Sequence, residues 1–181
     1  MKLNFATSNS GKVKDAQEIL QEFEVKQLDL EAIEPCVDSL SQISRSKVEQ
    51  AKEKLEEPVH VFADDSGLFV ETLDGFPGTH TSLFDDKVGK ENLLELVDTG
   101  TEAEFRTAVA LRTPEGQVEV FEGTVSGTLV EPRGDSGFGY DPMFLPDGHD
   151  KTFAEDMEYK HEVSHRNEAL KKMREWLEDE V

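Results

Sequence analysis

Residues 2–20, KLNFATSNSGKVKDAQEIL, decide the class of fold that the sequence predicts. Residues 2–6 indicate a β-strand, and the polar residues 7–11 indicate a tight turn directly after it. Beyond the turn, apolar residues recur at the spacing of one helix face, namely Val13, Ala16, Leu20 and Phe23. The stretch therefore predicts a strand, a tight loop and a helix, which is how an α/β fold begins.

The rest of the chain adds strands and helices to this unit. Ser39, with Gln42 three residues later, resembles a capping box and predicts a second helix that ends before Pro58. Further elements are predicted in chain order: strands at 25–30, 59–63 and 68–71, a helix at 87–97, a hairpin of 104–113 with 117–125, a strand at 127–130 and a final helix from Ser164. Parallel βαβ units thus lead into an antiparallel stretch, within one domain that spans residues 1–181.

The sequence is strongly acidic. Its 181 residues include 19 Lys and Arg against 40 Asp and Glu, a formal net charge of −21. Such a charge excludes a general binder of nucleic acid or of anionic membrane surfaces, because the protein repels both. The acidic residues are spread over the chain, which is typical of a salt-loaded cytoplasm, where ions screen the repulsion. We therefore expect a halophilic source; the alternative is an acidic protein from an ordinary cell.

The cysteine content and the hydropathy pattern indicate the compartment. Cys36 is the one cysteine of the sequence, so no internal disulfide can form and a reducing compartment is expected. No stretch approaches about 18 consecutive apolar residues, and residues 1–12 lack the apolar segment of a secretory signal. The expected localisation is therefore cytoplasmic, without a membrane partner.

The first candidate for chemistry is the loop between the first strand and the first helix. Free N–H groups and the positive end of the helix dipole attract an anion there, and Lys12 adds a full charge. The loop lacks the Walker A pattern, since position 6 is Ala and position 13 is Val. An ordinary capped helix start is the alternative. The loop comprises Thr7, Ser8, Asn9, Ser10, Gly11 and Lys12.

The second candidate is Asp64-Asp65-Ser66-Gly67, which follows the predicted strand at 59–63. Adjacent carboxylates at the end of a buried strand suit Mg²⁺, which takes one or two carboxylates together with substrate phosphates. In a sequence with 40 acidic residues, a solvated acidic turn is the alternative.

Two further candidates lie towards the end of the chain. Residues 136–144, SGFGYDPMF, place aromatic rings between glycines, which lets a flat ring stack while the backbone reaches its edge. A buried aromatic turn is the alternative. Lys160 precedes Ser164-His165-Arg166, where cations occupy the first turn of the predicted last helix. Because the helix dipole disfavours cations there, an anion or carbonyl acceptor is expected nearby, unless these side chains face solvent.

Taken together, these motifs resemble one family, the inosine triphosphate pyrophosphatase family, which is also called Ham1-like. The matches run in family order from residue 3 to residue 177. The family patterns TGNxxK, (V/A)(E/D)D(S/T)GL, GFPG, FGYDP, KTFAE and lysine-then-SHR are similar, in turn, to Thr7–Lys12, Ala63–Leu68, Gly75–Gly78, Phe138–Pro142, Lys151–Glu155, and Lys160 with Ser164–Arg166.

The resemblance implies an elongated α/β fold, in which a mixed sheet with flanking helices forms two lobes around a central cleft. It also implies a homodimer that uses Mg²⁺ and hydrolyses the noncanonical purine nucleoside triphosphates ITP, dITP and XTP to the monophosphate and pyrophosphate, which cleans the nucleotide pool. Two alternatives remain: a pyrophosphatase with a different base preference, and a nucleotide-binding regulatory module with little turnover. Asp65 argues against the module, because a binder needs no acid beside the scissile phosphate.

The resemblance also implies roles for residues of this sequence. Asp65 is expected to bind the metal and to accept a proton from the attacking water, with Glu34 as a second metal ligand. The triphosphate is expected to lie against residues 7–12 and Lys47, with Ser66 beside the substrate. The nucleobase and the sugar are expected to contact a further set: Phe138, Gly139, Tyr140 and Asp141, with Lys160, His165 and Arg166 closing the pocket.

Discrimination among purines is expected at position 6 of the base. Arg166 only donates hydrogen bonds, so it suits the keto oxygen of hypoxanthine and xanthine and opposes the amino group of adenine. A buried donor left unpaired costs about 1–3 kcal/mol, which corresponds to a roughly 10- to 100-fold preference.

Three positions depart from the family patterns. Ser8 replaces a glycine, so either that position does not need a positive φ or the loop is re-shaped. His80 stands where the family commonly has tyrosine. Pro35 occupies the spacing expected for the second metal-side acid, and Glu34 is the nearest acid.

Overall fold

Seven β-strands form one sheet in the computed structural model, which describes residues 1–179. They are β1 (Lys2–Ala6), β2 (Glu24–Leu28), β3 (His60–Val70), β4 (Pro77–Gly78), β5 (Glu102–Arg112), β6 (Val118–Leu129) and β7 (Phe144–Pro146). Their order in the sheet is β2-β1-β3-β5-β6-β7, and β4 pairs with β3. The sheet is mixed, since β1 runs parallel to β2 and β3 whereas β4 runs antiparallel to β3.

The helices of the described chain flank this sheet. They are α1 (Ser10–Ile19), α2 (Leu40–Lys52), α3 (Thr81–Lys87), α4 (Met157–Val163) and α5 (His165–Asp179), with short 3-10 helices at Glu71–Leu73, Lys90–Glu95 and Asp141–Met143. No helix among residues 1–179 is long and apolar enough to span a bilayer. The predicted α/β class, with a mixed sheet and flanking helices, is confirmed.

The strand, loop and helix predicted from residues 2–20 are present as β1, the loop at 7–9 and α1. The parallel register sets Phe5 of β1 opposite Phe62 of β3, and their rings stack with centroids 4.3 Å apart. Both rings are fully buried, so their stacking holds the two strands in register. Because the strands run parallel and Phe5 pairs with Phe62, the loop after Ala6 lies beside the residues of β3 that follow Phe62.

The region around Asp64 and Asp65 differs from the prediction. Residues 60–70 form one continuous strand of 11 residues, so the two predicted strands and the turn between them are wrong. Both aspartates lie buried inside this strand and not in a solvated turn. The strand continues through them because each carboxylate has a cationic partner, which removes the cost of burying an unpaired charge.

Glycines explain two other differences. The helix predicted at 87–97 is replaced by α3 and the 3-10 helix at Lys90–Glu95, because Gly89 between them has φ +89, which no helix permits. The strands predicted at 117–125 and 127–130 are one strand, β6. Residue 127 lies inside this strand, and it has to be glycine because a Cβ there would lie 2.4 Å from the carbonyl oxygen of Leu145 in β7. Helix α4 was not predicted.

The chain divides into two compact units. Unit 1 comprises residues 1–65, 107–123 and 166–181, of which 166–179 are described. Unit 2 comprises residues 66–106 and 124–165. Unit 1 contains the buried face predicted for α1, where Val13, Ala16 and Leu20 pack in one apolar cluster. Unit 2 has its own core, built around Leu68, Phe105, Leu129, Met143, Phe144 and Phe153.

Candidate functional site

The loop between β1 and α1 is held by its own side chains. Asn9 caps the helix, since its Oδ1 accepts hydrogen bonds from the amides of Gly11 at 2.9 Å and Lys12 at 3.3 Å. The Thr7 hydroxyl accepts from the Asn9 amide at 3.1 Å. Ser8 is not among the residues with a positive φ, so this position does not need a glycine. The loop is therefore a capped and preformed turn.

Strand β2 anchors the start of this loop. The amide of Thr7 donates to the carbonyl oxygen of Leu28 at 3.1 Å, and the side-chain amide of Gln27 donates to the carbonyl oxygen of Thr7 at 2.9 Å. The sequence analysis did not single out Gln27, because only the parallel pairing of β1 and β2 brings it to residue 7.

Asp64 is the centre of a buried ion-pair cluster in unit 1. Its Oδ1 lies 2.8 Å from the Lys12 ammonium, and its Oδ2 accepts from Nε of Arg166 at 3.0 Å. Arg166 also reaches Asp15 of α1, with 3.3 Å between NH1 and Oδ2. Burial opposes ionisation of Asp64, but Lys12 and Arg166 outweigh it and hold the pKa of this carboxyl well below its usual range. Asp64 is therefore ionised across the physiological pH range.

Asp65 belongs to a second, separate cluster. Its Oδ1 lies 2.7 Å from the Lys47 ammonium, and the same ammonium lies 2.7 Å from Oε1 of Glu34. Lys47 also donates to the carbonyl oxygen of Asp64 at 3.3 Å. Helix α2 thus presents a lysine that holds two carboxylates, from β3 and from the segment before α2.

The environment of Asp65 favours proton uptake. Burial raises the pKa of the Asp65 carboxyl above its usual value, against the opposing effect of Lys47. Burial also acts on Lys47, but the ion pair with Asp65 prevails and raises the pKa of the ammonium. Oδ2 of Asp65 is buried and has no hydrogen-bond partner among the described residues. A buried acceptor without a partner is costly, which suggests a site that a ligand or metal completes.

Glu34 and Asp65 fit a magnesium ion. Mg²⁺ needs only one or two protein carboxylates, because waters and substrate phosphates fill its other positions. Within residues 1–179 no group of three or more His, Cys, Asp or Glu side chains is arranged to hold a metal without such help. Both side chains supply carboxylate oxygens, the hard ligands that this ion prefers, and both already hold one cation, the Lys47 ammonium.

In unit 2, three of the predicted residues lie in contact. Oδ2 of Asp141 accepts from the backbone amide of Phe138 at 2.7 Å and lies 2.5 Å from the Lys160 ammonium. The ammonium also lies 4.3 Å from the centroid of the Phe138 ring. Asp141 and Lys160 are buried, whereas 43% of Phe138 is exposed. The ring is therefore the accessible part of this group.

The other predicted residues of unit 2 have different surroundings. Tyr140 is buried in the core of the unit, and burial raises the pKa of its hydroxyl, with a further effect from Asp85. The ring of His165, the first residue of α5, stacks on Phe105 with centroids 4.9 Å apart. Ser66 is half-buried in β3. Gly139 has φ +58, so the loop turns at this position.

Each unit thus brings one part of the predicted set together. Unit 1 joins Lys12 with Arg166 through Asp64, and Lys47 with Asp65 and Glu34. Sequence reasoning missed Asp15 and the pairing role of Asp64. A signal existed for Asp15, because it lies three residues after Lys12 on α1 and so shares a helix face with it.

Known proteins resemble this chain in sequence and in fold. The family model described as Ham1 family matches residues 3–176. The chain is 42% identical over 187 residues to a dITP/XTP pyrophosphatase of Methanopyrus kandleri, covering 100% of this chain and 98% of that protein. It is 37% identical to a dITP/XTP pyrophosphatase of Thermococcus kodakarensis, covering 100% of both. The solved structure of the Ham1 protein of Staphylococcus aureus is similar to this chain, with a TM-score of 0.85 and 32% identity, covering 100% of both chains. The structure of a HAM1 protein from Coxiella burnetii is similar with a TM-score of 0.84 and 28% identity, covering 99% of both chains.

Proposed function

The chain belongs to the Ham1 family, and on that premise we propose that it hydrolyses dITP, XTP and ITP to the monophosphate and pyrophosphate. Relatives that match it over their whole length are named dITP/XTP pyrophosphatases. The protein is thus an enzyme, a hydrolase that acts on a phosphoric anhydride of a nucleoside triphosphate. Its role is the removal of noncanonical purine nucleotides from the pool.

The observation that carries the proposal is the state of Asp65. Its carboxylate is buried, its pKa is raised by that burial, and its Oδ2 has no partner among the described residues. A general base needs a free acceptor atom and a pKa closer to the working pH. Asp65 meets both conditions, so it is the group that accepts a proton from the water that attacks the α-phosphorus.

The charges of unit 1 support a requirement for Mg²⁺. The cations Lys12, Lys47 and Arg166 are all paired with carboxylates, so little positive charge is left for a triphosphate. Asp65 and Glu34 would hold the metal. When bound there, Mg²⁺ neutralises phosphate charge and lowers the pKa of a coordinated water. Lys47, whose ammonium contacts both of these carboxylates, would lie beside the metal and the phosphates that it binds.

Recognition of the nucleotide is divided among the remaining residues. The preformed loop at residues 7–12 is proposed to meet the triphosphate with its hydroxyl groups and the positive end of the α1 dipole, and Ser66 is proposed to lie beside the substrate. The exposed ring of Phe138 offers a surface on which a purine stacks. Arg166, whose guanidinium only donates hydrogen bonds, is proposed to select a keto oxygen at position 6. Gly139, Tyr140, Asp141, Lys160 and His165 of unit 2 are the remaining residues proposed for recognition of the nucleobase and the sugar.

The proposal includes a homodimer in a salt-rich cytoplasm. Apolar side chains on and beside α3 support the dimer, because Phe76, Leu83 and Val88 are each exposed by 45% or more. The spread acidic charge supports a halophilic cytoplasm. Light scattering coupled to size exclusion in molar KCl measures the oligomeric state directly, and a monomeric mass would remove the dimer from the proposal.

The activity is tested by incubating the protein with Mg²⁺ in molar KCl and separate ITP, XTP, dITP, ATP, GTP and CTP. Pyrophosphate from the inosine and xanthine nucleotides alone is the expected result. Orthophosphate would contradict the reaction, equal turnover of ATP would indicate a different base preference, and binding without products would indicate a regulatory module.

Two matched variants test the role of Asp65. Asp65→Asn keeps the size of the side chain and is expected to retain nucleotide binding while kcat falls by about 10²- to 10⁴-fold. Asp29→Asn removes an exposed carboxylate of the same unit and is expected to leave kcat unchanged. Full activity of Asp65→Asn would exclude Asp65 as the base.

A further inference from the structure

The carboxylate of Asp141 is enclosed by the loop that carries Phe138. Its Oδ2 accepts the Phe138 amide at 2.7 Å and the Lys160 ammonium at 2.5 Å. The backbone of Asp141 is fixed on both sides, because its amide donates to the carbonyl oxygen of Phe138 and its carbonyl oxygen accepts from the amide of Ala154. Asp141 is only 3% exposed, so both donors compete with little water.

The Lys160 ammonium covers one face of the Phe138 ring. It lies 4.3 Å from the ring centroid, which is within the range of a cation–π contact. Lys160 is 4% exposed whereas Phe138 is 43% exposed. The buried ammonium therefore contacts a side chain of which a large part still reaches solvent.

Gly137 lets the loop close over the carboxylate. Its φ is +76, and a Cβ at this position would lie 2.3 Å from Oδ2 of Asp141. A side chain there would displace the carboxylate from its two donors. The close approach of Gly137 and the two hydrogen bonds all involve Oδ2 of Asp141, so the loop is held in place by this carboxylate.

From these contacts we infer that Asp141 is a positioning residue: it fixes the Lys160 ammonium and the Phe138 amide, and so holds the partly exposed Phe138 side chain in place to stack with a purine base. The inference rests on the proposed function and deepens it. Asp141 contacts the protein through Oδ2 and acts on the substrate through Phe138 and Lys160. The resemblance, in contrast, implied that Asp141 itself contacts the base and sugar.

The physical benefit is preorganisation. The glycines at 134, 137 and 139 all have positive φ, and glycine has more conformational freedom to lose than other residues. With Asp141 in place, this ordering takes place on folding, so base binding does not have to supply it. The effect concerns the base alone, because the loop of residues 7–12 and Lys47 belong to unit 1 and to the triphosphate.

Kinetics with and without a base test the inference. Asp141→Asn and Gly137→Ala are expected to raise KM for ITP by about tenfold with kcat changed less than about threefold, since uniform binding is lost. The competitive inhibition constant of inorganic tripolyphosphate, which has no base, is expected to stay unchanged. Gly148→Ala is the matched control, because Gly148 also has φ +76 but a Cβ there has no neighbour within 4 Å. An unchanged KM, an equal loss of tripolyphosphate affinity, or the same KM rise in Gly148→Ala would overturn the inference.

A second readout does not depend on activity. The side-chain Hε resonances of Lys160, assigned by their disappearance in Lys160→Arg, are expected upfield of those of other lysines because of the ring current of Phe138. They are expected to return towards the positions of the other lysines in Asp141→Asn and Gly137→Ala, and to stay upfield in Gly148→Ala. Resonances that stay upfield in both test variants refute the positioning role. If they move as expected while the wild-type protein does not cleave ITP, the proposed function fails and the positioning role stands.

Discussion

Replacing Asp64 by asparagine is expected to destabilise the protein more than replacing Asp15, although both carboxylates pair with Arg166. The Asp64 side chain is 2% exposed and neutralises two cations, Lys12 and Arg166. The Asp15 side chain is 19% exposed and pairs with Arg166 alone, at the longer distance of 3.3 Å. The comparison therefore separates the effect of a fully buried ion pair from that of a partly exposed ion pair.

The magnitude follows from what each substitution leaves behind. Removing one partner of a buried ion pair costs about 3–5 kcal/mol, because the remaining charge stays out of water. Arg166 keeps Asp15 after the loss of Asp64, and the Lys12 side chain, 17% exposed, can turn towards solvent, so we expect the lower end, about 3 kcal/mol. Asp15→Asn is expected to cost about 1 kcal/mol or less, because Asp64 still neutralises Arg166.

The assay is equilibrium unfolding in urea at a fixed molar KCl concentration. Trp176 is the single tryptophan and packs against the core cluster of unit 1, so its fluorescence reports on the unit that contains Asp64. A difference of about 3 kcal/mol in the free energy of unfolding changes the folding equilibrium by more than about 100-fold, which is well above the extrapolation error if m is unchanged. The reasoning fails if Asp64→Asn is no more destabilising than Asp15→Asn.

Three further predictions concern pH, salt and association. The pKa of Asp64 is lowered in the folded state, so its contribution to stability is full above the unfolded pKa of about 4 and is lost as pH falls through the folded value. In urea titrations, the difference in unfolding free energy between wild type and Asp64→Asn should therefore stay constant from about pH 7 to 5 and shrink below about pH 4. The net charge of −21 predicts that the unfolding free energy rises from about 0.1 to 2 M KCl, and a fall over this range would contradict the halophilic interpretation. Leu83→Glu, at a residue 54% exposed, is expected to shift the protein to a monomer in light scattering, and Leu96→Glu, at a residue 55% exposed, serves as the control. Equal masses for both variants and wild type would exclude the α3 surface as the dimer interface.

Local sequence patterns were sufficient to predict helices α1 and α2, which carry candidate residues of unit 1. The Ser39 cap and the buried face of α1 depend on residues within a few positions of one another, and the structure has both of them. The hairpin at residues 104–125 was also predicted, and Thr113 and Gln117 close its turn at 2.9 Å. The errors fall where the outcome depends on distant partners, as at the Gly127 approach to Leu145.

The sequence by itself determined the α/β class, the family and the motifs that carry the candidate residues, because these depend on the order and spacing of residue types. It could not determine what the neighbours Asp64 and Asp65 do. Successive side chains of a strand point to opposite faces, so the two carboxylates meet different surroundings. Asp64 meets Lys12 and Arg166, which lie 52 and 102 residues away in the chain, and becomes a structural ion pair. Asp65 meets Lys47 and keeps one buried oxygen without a partner among the described residues. Only the tertiary structure decided which of the two carboxylates is fully paired, because only folding brings those distant cations to Asp64 and leaves one oxygen of Asp65 without a partner among the described residues.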